Sequence, residues 1–294
     1  TRISFISDRT GNPEVYVMSA DGGDLRRVSM SALEENEHAW SPDGTRLAVA
    51  ARTGPRDEWN IWVMNAAGSK PVNLTPGAGN DRHPSWTPDG ERIAFASDRH
   101  GDLEIHLMNA DGTSQKRLTH APGNDLDPSV SPDGLRILFQ SERDRLGPDD
   151  STDTMAQIYV MDIDGSNERR VALTPTGYDV SPNWTSDSRR LVFNSLRDGL
   201  RSIYLMDIDG SGLVRLTDGH HSEFYDTVRR DGVEVALARL EAAEAIDPSR
   251  RYFGSGESHA LGYGMIAAGR PEDAVTLWTA VAQRTPHFEL DLRV

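Results

Sequence analysis

Acidic side chains recur at one fixed place along this chain. Glu35, Asp81, Asp125, Asp179 and Glu223 each stand five residues before the end of a short apolar segment, at Trp40, Trp86, Val130, Trp184 and Val228. Two residues after each acid come Glu37, His83, Asp127, Ser181 and Tyr225. Carboxylates gathered in a ring can hold a calcium ion, which takes six to eight oxygens. They can equally grip a basic side chain of a partner. The same acids can instead cap loops or pair internally with Arg9, Arg99, Arg143 or Arg197. His83, Asp127 and Glu37 are also the residue types that acid–base work on a sugar would need, provided the two carboxylates lie at a suitable separation. His220 and His221 precede Glu223 and invite a metal reading with His83, but adjacent histidines rarely share one metal and no HxH or HExxH spacing exists. Gly256-Glu257-Ser258-His259-Ala260 lacks the closing glycine of a nucleophile elbow, and no strand leads into it.

The elements that position these residues are read from a repeated phrase. Val15-Tyr16-Val17-Met18 runs into Asp21-Gly22, and Ile61-Trp62-Val63-Met64 into Ala67-Gly68. The phrase returns at Ile105–Met108, Ile158–Met161 and Ile203–Met206, with Asp111-Gly112, Asp164-Gly165 and Asp209-Gly210. The steps between the methionines are 46, 44, 53 and 45 residues. A period near 40–45 residues made of short strands points to a β-propeller with one blade per repeat. In the third unit Pro84–Trp86, Arg92–Ser97, Glu104–Met108 and Gln115–Leu118 read as four strands joined by tight turns. Thr87-Pro88-Asp89-Gly90 is one such turn; it recurs at Ser41–Gly44 and Ser131–Gly134 and is degraded at Thr185–Ser188 and Arg229–Gly232. By strand order the acids ring one mouth of the central channel. The methionine stripe is expected in the core between blades, where an unbranched thioether fills irregular gaps.

Every strand type occurs five times, so five four-stranded antiparallel blades are expected. The last innermost strand, Phe224–Val228, has no second strand of its own kind; pairing it beside Ile3–Ser7 closes the ring and removes exposed edges. The alternative is a severed piece of a larger ring. The chain opens inside a repeat, so Thr1 is not expected to be the natural start, and an export signal would have been lost with it. The longest loop, Arg143–Gln157, carries Asp149, Asp150 and Asp153 on the face of the acids and is a candidate recognition loop or an acidic excursion without structure.

These phrases resemble the TolB-type propeller repeat. Ser97-Asp98-Arg99, Met108-Asn109-Ala110-Asp111-Gly112 and Arg117-Leu118-Thr119 match its consensus nearly letter for letter, and the likeness covers about residues 1–232. The resemblance implies a propeller and an extracytoplasmic (periplasmic or secreted) location. It does not imply the TolB protein itself, which has a separate N-terminal domain and six blades. Similar repeats also accompany peptidases and sensor domains. Beyond Gly232 the pattern turns helical, with Val233, Leu237 and Leu240 at helical spacing. Leu261, Gly262, Gly269, Ala274, Trp278 and Pro286 resemble the tetratricopeptide spacing. The expected layout is therefore mainly β, with a propeller over 1–232 and a small α-helical tetratricopeptide-like segment over 233–294.

Composition narrows the function. Of 294 residues, 46 are acidic and 31 basic, a net charge of −15 that argues against nucleic acid and fits a cationic partner. There is no cysteine, which excludes disulfides and thiol catalysis and suits an oxidising compartment. No apolar run approaches a membrane span. The expected function is a non-catalytic, monomeric scaffold binding a protein or basic peptide through its acidic channel mouth, without a cofactor unless calcium sits there. The alternatives are the regulatory or gating propeller of a longer peptidase or hydrolase, and a sugar-acting propeller enzyme.

Overall fold

The computed structural model describes residues 2–8, 11–19, 23–28, 33–54, 56–77, 79–144, 156–171, 178–197 and 202–216. These form nineteen strands in five antiparallel sheets. Blade 1 holds β1 (Arg2–Ser7), β2 (Glu14–Ser19) and β3 (Arg26–Arg27). Blade 2 holds β4 (Glu34–Trp40), β5 (Arg46–Arg52), β6 (Asn60–Asn65) and β7 (Val72–Asn73). Blade 3 holds β8 (Asp81–Trp86), β9 (Arg92–Ser97), β10 (Glu104–Asn109) and β11 (Lys116–Arg117). Blade 4 holds β12 (Asp125–Val130), β13 (Arg136–Ser141), β14 (Gln157–Asp162) and β15 (Arg169–Arg170). Blade 5 holds β16 (Asp179–Trp184), β17 (Arg190–Ser195), β18 (Ser202–Asp207) and β19 (Val214–Arg215). The molecule is a mainly β, five-bladed propeller; blades 2–5 are four-stranded and blade 1 has three strands among the described residues. The closing strand at Phe224–Val228, the acidic loop with Asp149, Asp150 and Asp153, and the helical tail all lie outside the described residues.

Each blade is a meander because its strands are joined by turns that the side chains lock locally. In the turn after β8, Thr87 Oγ1 bonds Asp89, Glu91 N–H donates to Asp89 Oδ1 at 2.9 Å, and Gly90 N–H returns to the Thr87 carbonyl at 2.8 Å. The turns at Ser41–Gly44, Ser131–Gly134 and Thr185–Ser188 repeat this pattern. Where glycine gives way to Ser188, the left-handed backbone is kept, at φ 59°.

The core lies between blades. Met18, Met64, Met108, Met161 and Met206 are each at most 2% exposed. Burying a side chain of this size is worth roughly 1.5–3 kcal/mol. Met108 packs with Leu74, Trp86 and Ile93 between blades 2 and 3, and Met206 with Val171, Trp184 and Leu191 between blades 4 and 5. Tryptophans at the ends of innermost strands tie the blades together. Trp86 Nε1 donates to the Ala39 carbonyl at 3.0 Å, and Trp184 Nε1 to the Ser129 carbonyl at 2.9 Å. In blades 2–5 the glycine after the methionine strand sits where the neighbouring blade comes close. A Cβ on Gly112 (φ 86°) would lie 3.0 Å from the Leu74 carbonyl oxygen, and one on Gly210 (φ 90°) 2.8 Å from that of Val171.

Candidate functional site

The innermost strands begin earlier than the sequence reading placed them. The acids stand within strands rather than in the loops before them. Asp81 N–H donates to the Trp59 carbonyl, Asp125 N–H to that of Leu103 and Asp179 N–H to that of Ala156, at 2.7–2.9 Å. Glu35 N–H reaches the Pro13 carbonyl at 3.0 Å. The preceding blade thus supplies the acceptor that pulls each acid into the sheet. All four side chains are fully buried.

This first row is internally neutralised. Arg99 Nη2 meets Asp81 at 3.0 Å, Arg143 Nη2 meets Asp125 at 2.8 Å, and Arg197 Nη2 meets Asp179 at 3.0 Å. Each arginine also donates from Nε to a serine at the end of the second strand: Ser97, Ser141 or Ser195. The internal-pairing reading of the acids therefore describes these three. Burial pushes the carboxyls of Asp81 and Asp125 above the usual range, against hydrogen bonds from serine, threonine and arginine. Glu35 differs: its Oε2 accepts from Val15 N–H at 3.0 Å, across the boundary with blade 1.

The second row is built differently. Pairing with the second strand slips between Arg82 and Ser85, Leu126 and Ser129, and Val180 and Asn183. His83, Asp127 and Ser181 occupy these bulges with φ of 53°, 51° and 52°. Proline follows each of them, and it has no N–H to leave unpaired where the ladder breaks. A bulge re-aims its side chain, and here it brings neighbouring blades together. His83 Nε2 lies 3.4 Å from Glu37 Oε1 of blade 2 and 3.2 Å from Asp127 Oδ1 of blade 4. Ser181 of blade 5 donates to Asp127 Oδ2 at 3.2 Å. A polar chain therefore crosses four successive innermost strands. Both neighbours of Nε2 are acceptors, so the ring carries its proton on that nitrogen.

Glu37 is the most constrained member. Burial works to raise its carboxyl, but the His83 hydrogen bond and charge, with the Arg82 guanidinium 4.0 Å away, outweigh burial and hold it below the usual range. Its Oε2 is buried without a hydrogen-bond partner. Asp127 is more open, with 29% of its side chain exposed. Arg82 was not foreseen from sequence, although it stands next to His83 in the chain. Its guanidinium stacks 4.7 Å over Trp59. Glu223, Tyr225, His220 and His221 lie outside the described residues. Among the described residues no group of three or more histidine, aspartate and glutamate side chains is arranged to hold a metal ion. A calcium site does not fit the first row, because three of its acids direct oxygens at guanidinium groups.

Residues 35–113, from blade 2 into blade 3, match the family model described as TolB beta propeller domain. The fold is that of a TolB-type β-propeller. A protein TolB homolog of Chlorobium luteolum is 41% identical over 56 residues, which make up 19% of this chain and 13% of that relative. A solved TolB structure from Agrobacterium tumefaciens superposes with a TM-score of 0.62 at 24% identity, over 74% of this chain and 80% of that one. TolB from Acinetobacter baumannii superposes with a TM-score of 0.62 at 21% identity, over 74% of this chain and 52% of the other. The TolB-type likeness thus covers the blades and not the whole of these relatives. Among the described residues no helix is long and apolar enough to cross a membrane.

Proposed function

We propose that this chain is a non-catalytic scaffold that binds a protein or basic peptide at the channel mouth, in an extracytoplasmic compartment. The observation that carries this reading is the second row. Carboxylates from two blades converge on His83, with Glu37 Oε2 lacking a partner and Asp127 partly exposed. An acceptor-rich wall of this kind suits ammonium and guanidinium groups. The net charge of −15 favours the same partners at longer range. Similarity to TolB proteins and the lack of cysteine support the compartment. By their place in the repeat, Glu223 and Tyr225 belong to the same proposed mouth. Residues 233–294 add a tetratricopeptide-like helical appendage, a reading supported by Leu261, Gly262, Gly269, Ala274, Trp278 and Pro286.

The test is titration of the whole chain with a fluorescent lysine- and arginine-rich peptide at several salt concentrations. Saturable binding that weakens as salt rises is the expected result. Calcium added to the same titration reports whether the carboxylates prefer a metal. A peptide that fails to bind at low salt contradicts the reading.

A further inference from the structure

Blade 2 lacks two arginines that the other blades keep. In the strand pairings, Trp62 of blade 2 occupies the place of Tyr16, His106, Tyr159 and Tyr204. On the outer strand that residue faces Arg27, Arg117, Arg170 or Arg215 in four blades, but Asn73 in blade 2. A second arginine, two residues past the second strand's final serine, lies over the same ring in blades 4 and 5. Arg143 lies 4.4 Å over Tyr159 and Arg197 4.7 Å over Tyr204. The corresponding residue of blade 2 is Thr53, and the serine is Ala51.

Blade 2 has neither arginine, and its surface is open at this place. A cavity of about 350 Å3 lies against Trp62, Thr53, Asn60 and Asn73, with Asp57 and Glu58 in its wall. That is large enough for a side chain with part of its backbone. Asn60 Oδ1 and Trp62 Nε1 are buried without hydrogen-bond partners. Of the two arginines that border the cavity, Arg52 is held by Glu34 at 2.6 Å and lies 4.7 Å over Trp59, while Arg56 is exposed at the rim.

We propose that this cavity receives an arginine side chain of a peptide or protein partner, taking the place of the repeat's own missing guanidinium. The proposal rests on the peptide-binding reading for the class of partner and adds a separate site for it. Arginine is favoured over lysine because a planar guanidinium can lie on the Trp62 indole while donating sideways to Asn60 Oδ1 and to the carboxylates of Asp57 and Glu58. A carbonyl of the partner's backbone would supply the acceptor that Trp62 Nε1 lacks.

The test uses the whole chain and N-acetyl-arginine-amide as the probe, read by the indole N–H resonance of Trp62, which is assigned by its loss in Trp62→Phe. Saturable movement of that resonance is expected with the arginine probe and not with the neutral citrulline analogue. Thr53→Arg restores the repeat's residue, so the variant should stay folded and bind the probe at least about tenfold more weakly. Should Thr53→Arg fail to fold, Asn73→Arg, which restores the other arginine, carries the same comparison. The double variant Glu37→Gln/Asp127→Asn should bind the probe as the parent does, which separates this site from the channel mouth. A Trp62 resonance that does not move, or that moves equally in the arginine-restored variant, overturns the proposal.

Discussion

Single side chains here are judged by their equivalents in the other blades. Met108 is 1% exposed between two sheets, so Met108→Ala should cost about 2–5 kcal/mol, read as a fall in the denaturant midpoint. Met108→Asp should cost more, because it places an unpaired charge in the same gap. His106 stands where three other blades have tyrosine. Burial pushes its imidazole down from 6.5 to about 4, reinforced by the charges of Arg99, His100 and Arg117 and opposed by a hydrogen bond to the Glu104 carbonyl. A depressed folded pKa means that the unfolded chain binds the proton first. This contribution to stability is present above about pH 6.5 and lost as pH falls towards about 4. The raised carboxyls of Asp81 and Asp125 act in the opposite sense as pH falls, but equally in both proteins compared. His106→Tyr should therefore remove an acid-sensitive loss of up to about 3 kcal/mol, seen by comparing unfolding free energies at pH 7 and pH 4. Identical pH profiles for the two proteins would contradict this account.

At the scale of strands and turns, the periodic signals were legible and the departures from them were not. The alternation from Pro-Asp-Gly turn to apolar strand to Asp-Gly turn was enough to place most of the strands, because turn chemistry and burial act locally. The innermost strands proved longer than their apolar part. Asp81, Asp125 and Asp179 are polar residues that join the sheet because a carbonyl of the previous blade binds their N–H. That long-range partner leaves no mark in the local pattern. The bulges at His83, Asp127 and Ser181 were likewise hidden, although the proline after each marked where ladder pairing would break. Left-handed positions also recur in the turn after each third strand. Asp24, Lys70, Ser114 and Asn167 have φ of 52–55°, and blade 5 places Gly212 there at 65°. Lys70 is exposed, so Lys70→Gly should relieve backbone strain and raise stability by about 0.5–1 kcal/mol in thermal or chemical unfolding. A lower midpoint would mean that the lysine does more than tolerate its backbone.

For the whole molecule, five equivalent strand sets were enough to count the blades, since repeat architecture follows from period alone. The candidate site was only half legible. Its residue types could be listed, but spacing along a chain does not say which side chains meet across blades. The structure divides the acids into a buried row, in which Asp81, Asp125 and Asp179 are held by arginines, and a second row joined through His83. It also exposes the consequence of Ala51-Arg52-Thr53, which breaks the serine–x–arginine phrase of the other blades. On the proposed function, the second row is the binding surface and the first row a structural clasp. The most direct measurement is the affinity of the whole chain for a lysine- and arginine-rich peptide, compared between Glu37→Gln/Asp127→Asn and Asp81→Asn/Asp125→Asn, with each variant's melting temperature recorded. The account predicts that the first pair weakens binding at least about tenfold with a smaller fall in melting temperature than the second, whereas the second lowers the melting temperature further and leaves affinity intact. The opposite pattern, with affinity lost only when Asp81 and Asp125 are neutralised, would contradict it.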